Sequence, residues 1–595
     1  MSDLKGGSFG LAHPSEVPVA DTPEKTSADK EAAATHGSDE SANENQSDDE
    51  ISQDAQAGVQ AIEAFTKVWT TPHIIMAYVT IWIIIFVDAM QSSMSSLLTP
   101  YVTSSFKSHS LTATTGIMAN IISGLAKLPL AKVLDIWGRP QGFASMVFCL
   151  TLGLIMMAAC VNVEMYAAGQ VFYWIGYNGV AYCSSVFIAD TSSLKNRAFM
   201  MAFITSPYII TMWIGGPLAA AFMKGPGFQW AFGTFAIVTP FICSPLLILF
   251  IINYRKAAKL GLLPKRESNR TAWESIKHYA IEFDLAGILI LAAGLALFLL
   301  AFNIYSYQAE QWRSPLIICF LVLGLLLMIA FPFYEKYVAP VTFLPYHLLL
   351  DRTVMGACIL AAVSFVSFYI WNSFFPSFLQ VVNNLDLNKT NLVSFTYNIG
   401  SCFWSFVVAF AIHKTGRFKW LALYFGVPMN ILGIGLMIKF RQVDQDVGLI
   451  VMCQVFIAFA GGTLVICQQM AAMAVVTHQH VATVLALESM FSSIGGAIGS
   501  TITTAIWTGT FPGRLYEHLP AEVKDDYMTI SRDITVQLGY EYGSPTRHAI
   551  AQAYGDSQRY MLIAAAAIQV VSFVAVWAWR DINVKEFKQV KGRVI

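Results

Sequence analysis

Four ionisable residues lie inside long apolar runs: Asp88, Lys127, Lys132 and Glu488. A charged side chain at such depth is costly, so each of these positions is a functional hypothesis by default. The chemistry open to them is proton transfer or ion pairing. A carboxylic acid taken out of water favours its neutral form, which suits a group that takes up a proton on one side of a barrier and releases it on the other. Asp88 and Glu488 are therefore the candidates for proton coupling, with an ion pair to a Lys as the structural alternative. A second concentration of charge, "LAKVLDIWGRP" at residues 130–140, sets Lys132, Asp135 and Arg139 close together between two apolar runs.

Other chemistry is poorly supplied. The nine cysteines fall inside or at the edge of apolar runs with no closely spaced pair, so they read as small core hydrophobes and not as zinc ligands or a disulfide framework. His478 and His480 alternate with no carboxylate or Cys at ligand spacing, so no free-iron site and no cofactor are expected. No clustered His box or nucleophile with its base points to an enzyme.

The elements that carry these residues follow from composition. The chain has 595 residues, 55% of them hydrophobic and only 13% charged, about half the charge of a soluble domain. Lipid must replace water over most of its surface. A net charge of −1 gives no footprint for nucleic acid. A bilayer core needs roughly 20 apolar residues per helix, which predicts fourteen spans: about 75–95, 113–133, 142–160, 166–189, 199–222, 230–252, 284–304, 315–333, 354–378, 391–412, 420–439, 447–470, 482–508 and 560–579. Lys and Arg concentrate in alternate loops, around Arg139, Lys195 and Arg197, residues 255–277, Lys336 and Arg352, and Lys414–Lys419. By the positive-inside rule those loops and both termini are expected to be cytosolic. Residues 1–66 are acidic and nearly free of aromatics, and are expected to be a disordered cytosolic tail with no secretory signal. A basic link occupies 253–283, a long outside segment 509–559 and a short cytosolic tail 580–595. Aromatic content and mixed apolar spacing favour an ordered lid for the outside segment.

The opening motif has an echo. "AFAIHKTGRFKW" places Gly416 and Arg417 278 positions after Gly138 and Arg139, and "SIGGA" at 493–497 repeats "WIGGP" at 213–217 with nearly the same offset. Two six-helix halves, 75–252 and 354–579, thus flank two extra helices at 284–333. Such parallel halves resemble the major facilitator superfamily, which implies an all-α membrane fold with a substrate site at the interface of the halves. The family's cytosolic loop motif is matched by "AKVLDIWGRP", with Ala131 in place of its leading Gly. Asp135 and Arg139 are expected to pair with groups at neighbouring helix ends, notably Asp190 and Arg197 in "ADTSSLKNRAF", as a cytosolic latch, with a merely topogenic loop as the bland alternative. The echo is imperfect, because His413 replaces the Asp. Span four, "GQVFYWIGYNG", lacks the superfamily's Arg around Gln170, Phe172 and Tyr173. In span five "GGPLAA" resembles the Gly-Pro motif of fourteen-helix exporters with Ala219 and Ala220 substituted, and is expected to set close packing and a kink.

"AKLPLAKVLDIWGRP", "ADTSSLKNRAF", "WNSFFPSFLQ" and "GSPTRHAIAQAYGDSQRY" together resemble the fungal siderophore-iron transporter family over about residues 60–580. The resemblance implies proton-driven uptake of ferric hydroxamate chelates, the iron arriving as cargo in its siderophore. A bulky, nearly neutral chelate calls for a wide site of aromatic and polar groups. Gln91 in span one, Phe368, Tyr369, Trp371 and Asn372 in span nine, and Tyr397, Asn398 and Trp404 in span ten fit that description, against the alternative of an ordinary core stripe. Tyr540, Tyr542, Arg547 and Tyr554 are candidate contacts on the outside segment. The expected partners are ferric siderophore, protons and lipid around a monomer, in the plasma membrane or endosomal vesicles. The competing readings are a drug/proton antiporter on the same scaffold and, more remotely, a non-transporting sensor.

Overall fold

Backbone polar groups have no water to bond in a bilayer, so apolar runs of this length satisfy them internally as helices. The computed structural model describes Gln60 and residues 68–105, 111–261, 271–305, 308, 310–341 and 346–586. The acidic tail apart from Gln60, residues 262–270 of the basic link and the last nine residues lie outside that set.

The N-terminal half comprises α1 (Thr71–Ser105), α2 (Leu111–Ile136), α3 (Arg139–Ala158), α4 (Val163–Thr191), α5 (Leu194–Thr205), α6 (Tyr208–Lys224) and α7 (Phe228–Lys259). An amphipathic link helix α8 (Ala272–Glu282) leads to the extra hairpin, α9 (Leu285–Ile304) and α10 (Pro315–Tyr337). The C-terminal half follows with α11 (Arg352–Asn372), α12 (Phe375–Val381), α13 (Leu387–Thr415), α14 (Val427–Phe440), α15 (Val447–Ala474), α16 (Val481–His518), α17 (Pro545–Ile568) and α18 (Val570–Trp577). Side-chain caps fix several starts: Asn162 accepts from Met165 N, Asp351 from Thr353 and Val354 N, and Asp386 from Lys389 N.

Helices occupy all fourteen predicted stretches, and among the described residues twelve are long and apolar enough to cross a membrane. The two outside that set are α2 and α4. Both carry polar residues, Lys127, Lys132 and Asp135 on α2 and Gln170, Asn178 and Asp190 on α4, and both face polar space inside the protein.

The halves are built alike where the motif echo says they should be. At Gly215 of α6 an added Cβ would run into the Ser93 side chain of α1, and at Gly495 of α16 it would run into the backbone of Ala362 on α11. In each half the fifth predicted span thus lies against the first at a residue without a side chain. Gly138 and Gly416 likewise both adopt positive φ, 115° and 78°, which an L side chain rarely tolerates.

Two features depart from the predicted boundaries. Span five is split into α5 and α6 at Ser206-Pro207, where proline removes a helical donor. Span thirteen runs on to His518, well past the predicted end at 508, because Phe511 and Leu515 bury against α12 and α17 in one apolar cluster. The stretch read as an outside loop from 509 therefore begins inside a helix. It continues through short helices at Tyr527–Arg532 and Ile534–Gly539 and re-enters helix at Pro545.

Candidate functional site: a polar cavity between the halves

A cavity of about 540 Å³ lies where α2 and α4 of one half face α11, α15 and α16 of the other. That volume is in the range of pockets for drug-sized ligands. Its polar lining includes Lys127 and Asn178 from the first half and Tyr369, Gln468, Glu488 and Ser489 from the second. Glu488, buried at 5% exposure, accepts a hydrogen bond through Oε1 from Gln468 Nε2 at 2.9 Å. Lys127 stands within electrostatic reach of it and donates to Ser489 Oγ at 2.5 Å, a bond from one half to the other.

The halves close beneath the cavity at the end of the bundle that bears Gly138-Arg139 and Gly416-Arg417. Tyr182 OH donates to Ala482 O at 2.6 Å, and His478 Nε2 lies 3.6 Å from Asp190 Oδ1. Asp190 is also the anchor of the first loop. It accepts from Arg139 Nε at 2.9 Å, while Arg139 Nη1 donates to Asp135 Oδ1 at 2.6 Å, and all three groups are buried. Arg197 lies alongside, fully buried, with Nη2 donating to the carbonyl of Ala189 at 2.8 Å at the C-terminal end of α4. Lys132 is not part of this knot. Its Nζ donates to Glu282 O at 3.0 Å and so ties α2 to the end of the link helix α8, next to Asp284 and Glu335 of the extra hairpin.

The second loop is built differently. Arg417 Nη1 meets Asp581 Oδ2 at 3.1 Å with both side chains at least half exposed, at 58% and 50%. The irregular segment 581–586 beyond α18 covers Gly416, Val584 N donating to its carbonyl at 2.8 Å. Exposed pairs contribute little, about 0–1 kcal/mol. Asp581→Asn is accordingly expected to change initial transport rates by less than about twofold, measured at matched surface expression.

Asp88 occupies a separate position. It is buried within the first half and faces Tyr173, Tyr177, Tyr208 and Cys243. Among the described residues no Lys or Arg lies within 4 Å of it, and Oδ2 has no hydrogen-bond partner. Gln91, one turn on, accepts from Thr239 Oγ1 at 3.3 Å. Of the aromatic stripe on α11, Phe365 and Tyr369, one turn apart, line the cavity. Phe368, Trp371 and Tyr397 pack on one another behind them, with ring centroids 5.3–5.6 Å apart. Asn372 sits where α11 ends, Asn398 lies on α13, and Trp404 stacks on Phe459 at 4.2 Å and donates to Thr463 Oγ1.

On the far segment, Tyr542 is exposed, Tyr540 packs against the apolar cluster at its edge, and Arg547 and Tyr554 are buried. Tyr554 OH donates to Gln537 Oε1 at 2.9 Å, and its ring meets Trp507 and Phe511. Asn178, Gln468 and Gln469 also line the cavity and are not among the residues expected from sequence. Amides inside apolar runs were the available signal, in "GYNG" and "ICQQM". Among the described residues no group of three His, Cys, Asp or Glu side chains is placed to hold a metal ion.

Comparison with known proteins fits this architecture. The profile of the Major Facilitator Superfamily matches residues 81–340. MFS siderochrome iron transporter 1 of Ajellomyces capsulatus is 62% identical over 92% of this chain and 93% of its own length. The chain belongs to the siderochrome iron transporter family. Other members include MFS siderochrome iron transporter D of Aspergillus fumigatus, 45% identical over 91% of this chain and 90% of its own, and siderophore iron transporter mirB of Emericella nidulans, 41% identical over 99% and 98%. The fold is that of the superfamily: the solved proton:xylose symporter XylE superposes with a TM-score of 0.51 at 12% identity, covering 86% of this chain and 96% of that one. This family member is an integral, multi-pass membrane protein of transporter fold.

Proposed function

We propose that the protein takes up ferric siderophores, of hydroxamate type, together with protons by alternating access of the central cavity. The observation that carries this reading is the cavity itself: its wall is rich in amides and hydroxyls, it has one carboxylate and one amine facing each other across the halves, and it lies in a chain of the siderochrome transporter family. A nearly neutral, oxygen-rich chelate can be held by such donors and acceptors without a strong ion cage. Iron enters and leaves as cargo inside its chelator.

In this reading fourteen helices span the membrane, both termini and the Gly-Arg end face the cytosol, and the closed contacts at that end belong to a state open to the outside. Glu488 is the proton carrier, because it alone of the two carboxylates lines the cavity; Asp88 is the alternative carrier. Tyr369, Asn178 and Gln468 contact the chelate. The protein works as a monomer in the plasma membrane or an endosomal membrane.

The test is uptake of a panel of ferric trihydroxamates and one ferric catecholate by iron-starved cells, with and without a protonophore. Uptake of a trihydroxamate that the protonophore abolishes is the expected result. Outward movement of cationic dyes without chelate uptake would establish the antiporter reading instead.

A further inference from the structure

The first helix of the C-terminal half is interrupted. α11 ends at Asn372, and α12 begins at Phe375 with Pro376 in its first turn. Pro376 has no N–H, so the carbonyl of Asn372, four residues back, loses its helical donor. The chain turns through Phe374 at φ −105° and ψ 15°. Tyr369, within one turn of the break, lines the cavity, so the break separates the cavity wall from the end of the bundle opposite the Gly-Arg loops.

A seven-residue helix such as α12 is well short of the roughly 12–15 residues that an isolated helix needs. What holds it therefore decides where it lies. Three long side chains do so by taking carbonyls at its C-terminal end, in the break and at the end of α11. Arg441 Nη1 donates to Trp371 O at 2.6 Å and Gln558 Nε2 to Phe374 O at 3.0 Å, one on each side of the break. Arg547, from the start of α17, takes the other end: Nε donates to Val381 O at 2.9 Å and Nη2 to Gln380 O at 3.2 Å. Its Nη1 donates to Gln537 O in the helix 534–539. One planar fork of donors thus joins the C-terminus of α12, where a cation is favoured, to the far segment. Among the described residues Arg547 has no carboxylate partner, so these carbonyls are its whole use.

We propose that α12 is a hinged gate over the cavity, bending at Ser373-Phe374, and that Arg547 is the positioning residue through which the far segment holds it. This rests on the transport reading. The far segment then governs turnover by gripping the gate, and its buried arginine touches no cargo.

Two variants and one probe test the proposal. Arg547→Met keeps the side-chain stem and loses every donor; Pro376→Ala restores the missing N–H and stiffens the hinge without touching the arginine. Initial uptake of ferrioxamine B and ferrichrome, normalised to surface protein, is expected to lose Vmax by about fivefold or more in either variant, with KM within about twofold, because binding is untouched and a conformational step is slowed. Labelling of Ser377→Cys on α12 by a membrane-impermeant maleimide, against the unlabelled wild-type background, is expected to quicken about threefold when Arg547→Met is added and to slow with Pro376→Ala. A raised KM with unchanged Vmax in Arg547→Met would make Arg547 a cargo contact and overturn the proposal. So would unchanged labelling in both variants, which reads α12 as a fixed plug even if a variant transports poorly or is scarce. If the wild type carries neither chelate, the proposed function fails, while the labelling rates still decide the gate.

Discussion

Glu488→Gln is expected to lower siderophore accumulation driven by a pH gradient by about tenfold or more, equivalent to roughly 1.4 kcal/mol of lost driving force. Exchange of labelled for unlabelled chelate at equal concentration should stay within about threefold of wild type. Glu488 lines the cavity, is nearly inaccessible, and keeps its hydrogen bond from Gln468 at 2.9 Å. Gln preserves the shape and one acceptor oxygen but cannot release a proton, so it imitates one protonation state permanently. A cycle that must carry a proton in and return without it stalls at the return. Exchange needs no empty return and goes on.

The sign of the pH dependence follows. If protons enter with the chelate, wild-type uptake rises as the outside pH falls, and the Gln variant is flat over the same range. Asp88→Asn gives the control. Asp88 lies inside the first half among tyrosines and away from the cavity wall, so its loss is expected to leave the pH dependence in place. A flat profile in Asp88→Asn with a normal one in Glu488→Gln would reverse the assignment of the two carboxylates.

Much of this was legible in the sequence because membrane physics is one-dimensional. An apolar run of about 20 residues has little choice but to be a helix, and two motifs repeated with nearly the same offset fix the halves. The knot around Arg139 could also be anticipated, since a buried guanidinium in a loop needs carboxylates and Asp135 and Asp190 were at hand. The cavity wall was harder to read. Successive helical residues point about 100° apart, so Phe368, Tyr369 and Trp371 are neighbours in sequence yet only Tyr369 reaches the cavity. Nothing in span nine alone says which of its faces meets the other half. Gln468 and Asn178 were visible as amides in apolar runs, but aromatic density drew attention elsewhere. Arg547 was misleading for another reason: an arginine in a segment between helices reads as a surface contact, whereas its donors are consumed by carbonyls 10 and about 166 positions away along the chain.

The two Gly-Arg loops differ in burial, and the second large expected effect follows from that difference. Asp190 sits among Arg139, Arg197 and His478, and with Asp135 it balances the two guanidinium groups inside the protein. Asp190→Asn removes one of two negative charges and leaves a buried excess of positive charge. Breaking a buried pair from one side typically costs about 3–5 kcal/mol, so the variant is expected to lose most of its surface protein and, after detergent extraction, to unfold at markedly lower temperature than wild type. Asp581→Asn should do neither. Stability alone would not distinguish a latch from a fold-maintaining knot. His478→Gln does, because it leaves Asp135, Arg139 and Asp190 in place and alters the contact made by the other half at 3.6 Å. Loss of about 1 kcal/mol there shifts the balance between closed and open forms of the Gly-Arg end roughly fivefold without lowering the unfolding temperature. Distances between spin labels placed near the Gly-Arg ends of α4 and α16 read that balance directly. An unchanged distance distribution in His478→Gln would reduce the cluster to structural support of the first half, and a shift toward the longer distance makes it the catch between the halves.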